Sequence, residues 1–593
     1  MRITTGYLLL IGLTIGLLLT LFSVRDQLET SRKLFHWADV QTTRQPLTSY
    51  RPITVTYGKE KVKLYDGLRR DDLTANALPK KVEQTFIAIE DQRFYQHGGY
   101  DITGILRAFT ENQSTDQKGQ GGSTITQQLA RMTYLSNEKT YTRKIKEILI
   151  AISLEQKYSK KELLTAYVNQ AYFANNIYGI ELASSAYLGK KANDLTWAEV
   201  SYLAAIPNNP TLYDPLRSPQ NTEKRQQRIL KILANTDTIP KSIKTKEIAL
   251  SFNKPVIPFP DYIDASVKEA IRQTAAIKKL DYEAAQQYLH QHGATIATYL
   301  DSTEQTRAKQ SIVALPKEIE GAYVGIDGRT RGVTALVGHK TDLPGQFNRA
   351  TQSFRQPGST LKPLLVYGPY LEKTKATLSS PLDGRPVCFD GYCPENSGNR
   401  ILGEVTLADA IAYSYNTPAL RAFSVSFAEG LKAIRPFKFS QWSKQDNAYT
   451  SALGGLKYGV SPYELTSAYT TLANDGLYSP ASMVRSITLS KGEGTLYRHT
   501  VQNDRIWSSR TNQVLRKGLT NVMTYGTGRL GYDARPTYIG GKTGTTNDNK
   551  DMWFVGIKDQ HIGGIWLGAD IPRPFPVEAN STLQVRTWAN ILR

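Results

Sequence analysis

The sequence contains few of the residues on which metal centres and disulfide frameworks are built. Its 593 residues include seven histidines and two cysteines, Cys388 and Cys393, with four residues between them. A zinc site is not indicated, because no second Cys or His pair lies nearby at ligand spacing. Two alternatives stay open for the cysteines: a small disulfide loop in a domain that faces an oxidising space, or two free thiols.

Acidic residues are scarce relative to basic ones. The chain has 53 Asp and Glu against 73 Lys and Arg, a net charge of +20. Such an excess suits plain solubility, or a nucleic acid, an anionic membrane surface or a polyanionic substrate as partner. The sequence has no nucleic-acid-binding motif, internal repeat or low-complexity tract. We therefore expect no nucleic-acid partner and favour a membrane surface or a polyanionic substrate.

Charge is missing altogether from Ile3 to Val24, and Tyr7–Val24 is almost wholly apolar. As a helix this run spans roughly 33 Å, which matches a hydrocarbon core of about 30 Å. A cleaved signal peptide is the alternative, but no A-x-A-like site precedes Arg25. The pattern predicts a retained anchor, followed by a polar stalk with a strand near Ile53–Tyr57.

The central motif is Gln356-Pro357-Gly358-Ser359-Thr360-Leu361-Lys362-Pro363, which predicts a sharp turn that enters a helix. Ser359 and Lys362 lie three residues apart and would share one helix face. A neutral lysine there can accept the serine proton, and a helix N-terminus favours the negative charge that develops. S-x-x-K also occurs by chance, and Lys362 would then be an ordinary solvated lysine.

Two further motifs follow in order. Ser414-Tyr415-Asn416 lies in the apolar, helix-prone region Leu407–Leu420, and Lys542-Thr543-Gly544-Thr545 precedes the strand-like segment Met552–Ile557. The order S-x-x-K, S-x-N, K-T-G is typical of penicillin-recognising serine enzymes. With its flanking segments, this part of the sequence resembles the transpeptidase domain of class A penicillin-binding proteins.

That resemblance implies a serine acyl-enzyme formed on D-Ala-D-Ala stem peptides, with β-lactam antibiotics as covalent inhibitors and with no cofactor required. The implied roles are Ser359 as nucleophile, Lys362 as base, Ser414 as proton relay toward the leaving amine, Asn416 as ligand of the substrate amide, Lys542, Thr543, Gly544 and Thr545 as the carboxylate site, and the backbone N–H groups of Ser359 and Thr545 as the oxyanion hole.

A second group of motifs lies nearer the N-terminus. E-D-x-x-F-x-x-H-x-G at Glu90–Gly99 follows an apolar helical stretch over Val82–Ile89. G-x-S-T-I-T-Q-Q at residues 121–128 and R-K-x-x-E at Arg143–Glu147 come next. Together with the stretches Tyr167–Lys190 and Trp197–Pro215, this set resembles the peptidoglycan glycosyltransferase domain of the same class A proteins. Thr165 departs from it where Glu is frequent, and Ala174 where Gly is usual.

This second resemblance implies that a sugar passes from a lipid pyrophosphate to an acceptor hydroxyl. Glu90 would be the general base, with a pKa raised by burial. Arg143 and Lys144 would bind the pyrophosphate, and Glu147 would either orient them or hold a divalent metal, Mg or Mn. The residues expected to hydrogen-bond sugars or phosphates are Ser123, Thr124, Gln127 and Gln128.

Periodicity predicts one helix of this region in detail. Thr140–Tyr158 is expected to be helical, with an apolar stripe of Ile145, Ile148, Leu149 and Ile152 at helical spacing. Arg143 and Glu147 fall on the opposite face. Without the resemblance, they would be an exposed i,i+4 ion pair worth a few tenths of a kcal/mol.

The sequence therefore predicts a multidomain chain: a transmembrane helix, a mainly α lysozyme-like glycosyltransferase domain, and an α/β transpeptidase domain of the penicillin-recognising serine enzyme type with an antiparallel sheet. The linker region should contain helices over Asp264–Lys278 and Tyr282–His292, and strands should follow over Ala322–Val337. The expected boundaries are 1–6 for a cytoplasmic stub, 7–24 for the anchor, 25–60 for the stalk, 61–220 for the glycosyltransferase, 221–305 for the linker and 306–593 for the transpeptidase.

The function expected from these resemblances is that of a bifunctional cell-wall synthase in the cell membrane, with its catalytic domains on the extracytoplasmic face. It would polymerise lipid II and crosslink the stem peptides. Expected partners are lipid II, nascent peptidoglycan, the cytoplasmic membrane and other cell-wall synthesis proteins. The alternatives are a DD-carboxypeptidase or β-lactamase-like hydrolase, in which water resolves the acyl-enzyme, and a scaffold with one inactive domain.

Overall fold

The structure is a computed structural model in which the chain forms two compact units. The first unit comprises Met1–Pro52 and Lys63–Val256, and the second comprises Ile53–Val62 and Ile257–Arg593. The predicted anchor at residues 7–24 lies outside the described residues. Within the described ranges, no helix is long and apolar enough to cross a membrane. The described residues are 29, 32–43, 47, 51–65, 68–101, 122–135, 140–240, 243, 248–253, 256–341, 345–490, 494–546, 549–574 and 582–592.

The region predicted as a stalk is folded in the parts that the structure describes. Residues 32–43 form a helix whose Ala38 lies in the core of the first unit. β1 (Ile53–Tyr57) occupies the predicted strand and belongs to the second unit. β2 (Glu60–Tyr65) contains the boundary between the units and pairs antiparallel with β3 (Leu68–Arg69).

The first unit is mainly helical. Its core collects apolar side chains from successive helices, among them Phe86, Leu129, Ile150 and Leu203. The predicted helices over 82–89 and 140–158 are confirmed, the second one capped by the Thr140 side chain. After the helix of residues 32–43, the described part of this unit contains α1 (Lys80–Glu90), α2 (Ile125–Tyr134), α3 (Tyr141–Lys157), α4 (Lys160–Gln170), α5 (Ile180–Leu188), α6 (Trp197–Ala205) and α7 (Pro219–Asn235).

The face that α3 buries differs from the predicted stripe. Leu149 of the predicted stripe is buried together with Glu147, Ile150 and Leu154, whereas Ile145 is 54% exposed. The predicted stripe rests on hydrophobicity alone, but burial depends on which face of α3 packs against the neighbouring helices α2 and α4. Arg143 and Glu147 are therefore not an exposed ion pair.

The second unit combines helices with two larger sheets. Its helices are α8 (Pro260–Lys278), α9 (Tyr282–His292), α10 (Ser302–Val313), α11 (Arg349–Gln352), α12 (Gly368–Thr374), α13 (Leu407–Ala412), α14 (Asn416–Val425), α15 (Phe427–Ile434), α16 (Pro462–Ala473), α17 (Ser509–Thr524) and α18 (Leu583–Ile591). Its further strands are β4 (Ala294–Thr298), β5 (Glu320–Asp327), β6 (Gly332–Val337), β7 (Pro381–Asp383), β8 (Glu404–Thr406), β9 (Leu477–Tyr478), β10 (Val484–Leu489), β11 (Thr495–Arg498), β12 (Asp504–Arg505), β13 (Ile539–Thr545), β14 (Met552–Lys558) and β15 (His561–Gly568).

The central sheet has the order β13-β14-β15-β5-β6, and every neighbouring pair is antiparallel. The predicted antiparallel sheet is therefore confirmed. On one side its apolar residues, such as Phe554 and Ile565, pack with α10 and α18 in a core that includes Trp588. This packing leaves β13, which carries the K-T-G motif, at one edge of the sheet.

Much of the predicted linker is part of this second unit. The helices expected over Asp264–Lys278 and Tyr282–His292 are present as α8 and α9, and both bury apolar residues. β4 follows them and pairs parallel with β1 and antiparallel with β10. Ile296 of β4 is fully buried. The amphipathic pattern of these helices reflects their burial in a domain. A linker between domains would not require such a pattern.

A disulfide joins Cys388 and Cys393 at an S–S distance of 2.09 Å, so the first of the two alternatives for the cysteines applies. The bridge closes a tight turn in which Phe389 and Tyr392 exchange backbone hydrogen bonds of 3.0 and 2.8 Å. Gly391 lies at the centre of that turn with φ +77°. The disulfide hairpin, residues 388–393, lies between β7 and β8.

Candidate active sites

Glu90 of the first unit lies at the end of α1 and is half-buried. Gln128 Nε2 donates to Glu90 Oε2 at 2.9 Å, and the Tyr167 hydroxyl donates to Gln128 Oε1 at 3.3 Å. Burial raises the pKa of Tyr167 well above 10.0, and the charge of Glu90 raises it further. Tyr167 therefore remains a hydrogen-bond donor, and it orients Gln128 toward the carboxylate.

Asp91, the next residue, has a different role. His97 Nε2 contacts both Asp91 carboxylate oxygens at 3.0 Å, and the backbone N–H of Ile125 donates to Asp91 Oδ2 at 3.0 Å. The buried carboxylate thus ties the loop after α1 to the first turn of α2. The sequence interpretation missed this pairing, although both Asp91 and His97 belong to the E-D-x-x-F-x-x-H-x-G motif.

Thr124 caps α2, and its buried hydroxyl is hydrogen-bonded within the chain. Its Oγ1 accepts from the backbone N–H of Gln127 at 3.1 Å and donates to the carbonyl of Gly99 at 2.8 Å. The cap satisfies a backbone donor that the helix start leaves free. Its consequence for the site is indirect, since it fixes the turn from which Gln127 and Gln128 project.

A cluster of cations surrounds Glu147 on α3. Lys144 Nζ donates to Ser123 Oγ at 2.7 Å and to Gln127 Oε1 at 3.1 Å, and it pairs with Glu147 Oε2 at 3.1 Å. Arg143 pairs with the same carboxylate, which is 2% exposed. The predicted ligands Ser123, Gln127, Arg143, Lys144 and Glu147 are thus brought together, next to the Gln128 that bonds Glu90.

Electrostatics make this cluster a site for anions. Burial, and after it the charges of Arg131 and Arg143, lower the pKa of Lys144 to about 8. Arg143 and Lys144 share one carboxylate, and Arg131 adds a further positive charge that acts on Lys144, so an anionic ligand would relieve their repulsion. Planar guanidinium and ammonium groups are the usual partners of phosphate oxygens.

The donor set does not fit a divalent metal at Glu147. Both neighbouring cations already pair with its carboxylate. In the described part of the chain, no group of three or more His, Cys, Asp or Glu could hold a metal ion. Hard divalent cations prefer several oxygen ligands, whereas Glu147 offers one carboxylate beside two positive charges.

The two departures from the glycosyltransferase pattern have local explanations. Ala174 has φ +63°, in the left-handed region that glycine adopts without strain, which accounts for the usual Gly there. Its carbonyl accepts from the N–H of Ile177 at 2.9 Å and closes a tight turn. Thr165 is buried and donates to the Lys161 carbonyl at 2.6 Å within α4.

In the second unit, Ser359 lies in a 3-10 turn, Gly358–Leu361, and not in a regular α-helix as predicted. A π-helical segment, Pro363–Tyr367, follows before α12 begins. Gly358 has φ +53°, and a Cβ there would lie 2.8 Å from the carbonyl oxygen of Thr545. Only glycine allows the turn to approach β13 so closely, and this approach puts the backbone of Ser359 beside that of Thr545.

Lys362, Ser414, Asn416 and Lys542 meet behind this turn. Lys362 Nζ donates to Asn416 Oδ1 at 2.9 Å and to the carbonyls of Ser414 and Tyr415 at 2.8 and 3.1 Å. Lys542 Nζ donates to Ser414 Oγ at 2.7 Å, and that oxygen is 3.5 Å from Lys362 Nζ. Ser414 is therefore a hydroxyl between two amines.

The helix predicted over Leu407–Leu420 is broken at this motif. α13 ends at Ala412, Ser414 has φ +62°, and α14 begins at Asn416. The break turns the Ser414 side chain and two main-chain carbonyls toward Lys362, which a continuous helix would not allow because its carbonyls point along the helix axis.

Both lysines are fully buried, and their acceptors are neutral oxygens. Burial lowers the pKa of Lys362 well below 10.5, and the charge of Lys542 lowers it further. Burial lowers the pKa of Lys542 to about 7. Ser359 is half-exposed, and among the described residues its hydroxyl has no hydrogen-bond partner. The backbone N–H of Lys362 donates to the Ser359 carbonyl, but among the described residues no hydrogen bond joins the Ser359 hydroxyl to Lys362 Nζ.

The remaining K-T-G residues line the edge of the sheet. Thr543 Oγ1 lies 2.6 Å from Thr527 Oγ1. A Cβ on Gly544 would lie 2.5 Å from the carbonyl of Pro357, so the strand passes directly along the Ser359 turn. Thr545 is exposed at the end of β13. The backbone of this strand therefore adjoins the turn that carries the nucleophile candidate.

Sequence comparisons agree with the two sites. Residues 58–234 match the Transglycosylase family, and residues 321–562 match the penicillin-binding protein transpeptidase domain. The chain is 39% identical over 543 residues to penicillin-binding protein 4 of Bacillus subtilis, covering 87% of this chain and 86% of the relative. It is 35% identical over 557 residues to penicillin-binding protein 1F of the same organism, covering 90% and 76%.

A solved structure shares the fold. The crystal structure of penicillin-binding protein 1A from Haemophilus influenzae superposes with a TM-score of 0.63 at 18% identity and covers 92% of each chain. The fold, the order of the two domains and the level of identity to full-length relatives lead to one assignment. This chain belongs to the class A penicillin-binding proteins, bifunctional enzymes of peptidoglycan synthesis with a glycosyltransferase and a transpeptidase domain in one chain.

Proposed function

We propose that this chain polymerises lipid II, the lipid-linked disaccharide-peptide, in its first unit and crosslinks D-Ala-D-Ala stem peptides through Ser359 in its second. The observation that carries the proposal is the meeting of two fully buried amines, Lys362 and Lys542, at one hydroxyl behind Ser359. Such burial without a carboxylate favours a neutral amine, which is the state a base needs.

In the first unit, Glu90 accepts the proton of the acceptor sugar hydroxyl. The hydroxyl oxygen then forms a bond to the donor sugar carbon as the bond from that carbon to the pyrophosphate breaks. Lys144 and Arg143 bind the departing pyrophosphate, and Glu147 holds the two cations in place. Support for these roles comes from the Gln128 bond to Glu90 and from the shared carboxylate of Arg143 and Lys144. We assign Glu147 this orienting role and route no step through a metal.

In the second unit, the Ser359 hydroxyl transfers its proton to Lys362 and attacks the carbonyl of the penultimate D-Ala. The backbone N–H groups of Ser359 and Thr545 stabilise the oxyanion. As the C–N bond breaks, the proton passes through Ser414 to the leaving D-Ala amine. Lys542, Thr543 and Thr545 bind the terminal carboxylate, and Asn416 binds the substrate amide.

The acyl-enzyme then reacts with an amine of a neighbouring stem. The amine loses its proton along the reverse route and forms an amide, and the Ser359 oxygen leaves with a proton. β-Lactams would acylate the same serine and block both steps. The relatives carry penicillin binding in their names, which supports this part of the proposal.

The cellular setting follows from the substrate. An uncharged run from Ile3 to Val24 supports a membrane anchor, and a lipid-linked donor requires access to a membrane surface. We therefore propose a single-pass protein of the cell membrane with both catalytic units on the extracytoplasmic face, where other cell-wall synthesis proteins would be its partners.

The test is incubation of the full chain with purified lipid II, with and without benzylpenicillin, followed by separate assays of glycan strands and crosslinked peptides. We expect strands in both samples and crosslinks only without the drug. A Ser359→Ala variant should form strands, no crosslinks and no covalent penicillin adduct. Release of D-Ala without crosslinks would indicate the hydrolase alternative, and absence of either product would indicate a scaffold with one inactive domain.

A further inference from the structure

The segment 384–403 connects β7 to β8, and its two ends lie next to each other because β7 and β8 are paired. Asp383 and Glu404 face each other across the antiparallel pair, so the intervening residues form an excursion from a short hairpin. This excursion contains the disulfide hairpin and, just after it, Asn396. None of the three motifs of the second unit includes Asn396.

Asn396 is 4% exposed, and its side chain makes hydrogen bonds in two directions. Its Oδ1 accepts from the backbone N–H groups of Asn416 at 2.8 Å and of Thr417 at 3.2 Å. Its Nδ2 donates to Thr417 Oγ1 at 2.9 Å and to the Arg400 carbonyl at 3.1 Å. The carboxamide therefore connects the excursion with the start of α14.

These contacts supply a cap that α14 does not provide for itself. The first N–H groups of a helix have no partner within the helix. The residue at the capping position, Tyr415, makes no side-chain capping bond. Asn396 satisfies two of these donors from a remote segment, and it does so at the residue that carries the S-x-N asparagine.

The Asn416 side chain is then held from both ends. Its Nδ2 donates to the carbonyl of Glu395 at 2.7 Å, and its Oδ1 accepts from Lys362 Nζ at 2.9 Å. Glu395 and Asn396 are neighbours in the excursion, so one short stretch fixes both the main chain and the side chain of Asn416. The position of an acceptor of Lys362 thus depends on this stretch.

The far end of the excursion is also anchored. The Cys388–Cys393 disulfide closes its hairpin, and Phe389 stacks on Tyr449 with ring centroids 4.9 Å apart. Arg421, on α14, donates to the carbonyls of Arg385 and Pro386 at 3.1 and 3.2 Å. The excursion is therefore attached to α14 on both sides of the hairpin.

We propose that Asn396 is a positioning residue for acyl transfer: it caps α14 from outside and thereby sets the orientation of Asn416 toward Lys362. The proposal rests on the proposed function of Ser359 and Lys362. It assigns Asn396 no contact with the substrate, and it makes the excursion 384–403 a structural support of the transpeptidase site.

The test compares Asn396→Ala and Asn396→Asp in the full chain, with Asn399→Gly as the matched control. Asn399 lies three residues away, is exposed and has φ +54°, which glycine tolerates. The readouts are the second-order rate of Ser359 acylation by a fluorescent penicillin, its pH profile, and the thermal unfolding midpoint. Asn396→Ala should acylate about tenfold more slowly or worse, since two buried donors lose their acceptor.

Asn396→Asp should acylate faster than Asn396→Ala, because the aspartate keeps both acceptor bonds at a helix N-terminus that favours negative charge. It should remain slower than the parent, because its second oxygen faces the Arg400 carbonyl and Thr417 Oγ1, to which Asn396 Nδ2 donates. In Asn396→Ala, the acid limb of the acylation profile should move to lower pH. Lys362 then loses an acceptor that favours its protonated form, while the Lys542 amine of β13, the Ser414 hydroxyl and the carbonyls of Ser414 and Tyr415 still face it.

Three results would overturn the proposal: acylation by Asn396→Ala within twofold of Asn399→Gly, an unchanged pH profile in Asn396→Ala, or an aspartate variant as slow as the alanine variant. If Asn396→Ala loses the fold, the aspartate comparison still decides. Failure of the proposed function is distinguishable, because the parent itself would then show no adduct that Ser359→Ala abolishes.

Discussion

The two units bury lysines in opposite electrostatic surroundings. In the first, Lys144 shares the buried carboxylate of Glu147 with Arg143. In the second, Lys362 and Lys542 are buried more completely, and their acceptors are hydroxyl, amide and carbonyl oxygens. Because its partner is a carboxylate, Lys144 is favoured in its charged form. The neutral partners of Lys362 and Lys542 favour loss of the proton.

The pKa directions follow this difference. The pKa of Lys144 is lowered to about 8, so it remains largely protonated at neutral pH and suits an anionic ligand. The pKa of Lys362 lies well below 10.5 because burial and the charge of Lys542 both oppose protonation. Desolvation without a counter-charge is the condition under which a lysine acts as a base. Under the proposed function, one residue type thus serves two chemistries in one chain.

The largest expected effect removes the base of the first unit alone. Glu90→Gln keeps the size of the side chain and can still bond Gln128, but it cannot accept a proton. General-base loss costs about 10²–10⁴-fold, so glycan polymerisation from lipid II should nearly cease while Ser359 acylation by penicillin stays normal. Polymerisation within a few-fold of the parent would place the base elsewhere.

A smaller loss of polymerisation should follow from Glu147→Gln. This change removes the carboxylate that Lys144 has as a partner and that Lys362 and Lys542 lack. Breaking a buried ion pair on one side costs about 3–5 kcal/mol, so unfolding free energy should fall by an amount of this order and polymerisation by more than tenfold. Denaturant unfolding and strand synthesis measure the two quantities.

The matched control is Asp264→Asn, which breaks the partly exposed i,i+4 pair with Lys268 on α8. That loss should cost about 0.3–0.5 kcal/mol and leave polymerisation unchanged. If Glu147→Gln behaves like this control, the buried carboxylate has no part in the reaction.

The rates of polymerisation and of Ser359 acylation should change in opposite directions as pH rises. Polymerisation needs protonated Lys144 and should fall as pH rises through about 8, and this fall should disappear in Lys144→Arg, whose side chain stays charged. Acylation needs neutral Lys362 and should rise with pH through the lowered pKa of that residue. Both rates can be measured on one preparation between about pH 6 and 9. A polymerisation fall that persists in Lys144→Arg contradicts the assignment.

The smallest expected effect is on stability, and it concerns a buried cation of the second unit that does have a carboxylate partner. His561 Nε2 lies 2.9 Å from Glu304 Oε1, and although burial opposes its charge, Glu304 raises its pKa above 6.5. Its protonated form therefore stabilises the fold below that value, and the contribution is lost as pH rises through the raised pKa. His561→Gln should lower unfolding free energy by about 1–2 kcal/mol at acid pH and by less at higher pH.

His292→Gln serves as the control for that experiment, because His292 stacks on Tyr288 and bonds its carbonyl. The comparison isolates the Glu304 pair, because the contacts of His292 are an aromatic ring and a carbonyl. A pH-independent loss in His561→Gln would show that the charge of the Glu304 pair is not stabilising.

Local pattern was sufficient for most of the elements and for the motif residues. α9 has the predicted bounds, α3 lies within one residue of them at each end, and β1 covers the predicted strand. Apolar spacing and capping residues determine such elements because they act over a few residues. The motif order likewise identified Ser359, Lys362, Ser414 and Lys542 before any contact between them was known.

The sequence by itself determined which residues form the motifs and which segments are helix or strand. Only the tertiary structure decided that α3 buries Glu147, that α14 starts beside Lys362, that the predicted linker joins a sheet, and that Asn396 caps the S-x-N helix. Each of these depends on which distant segment packs against which face, with Asn396 twenty residues from Asn416. Burial and the loss of solvent around a charge follow from those contacts, and no local pattern contains them.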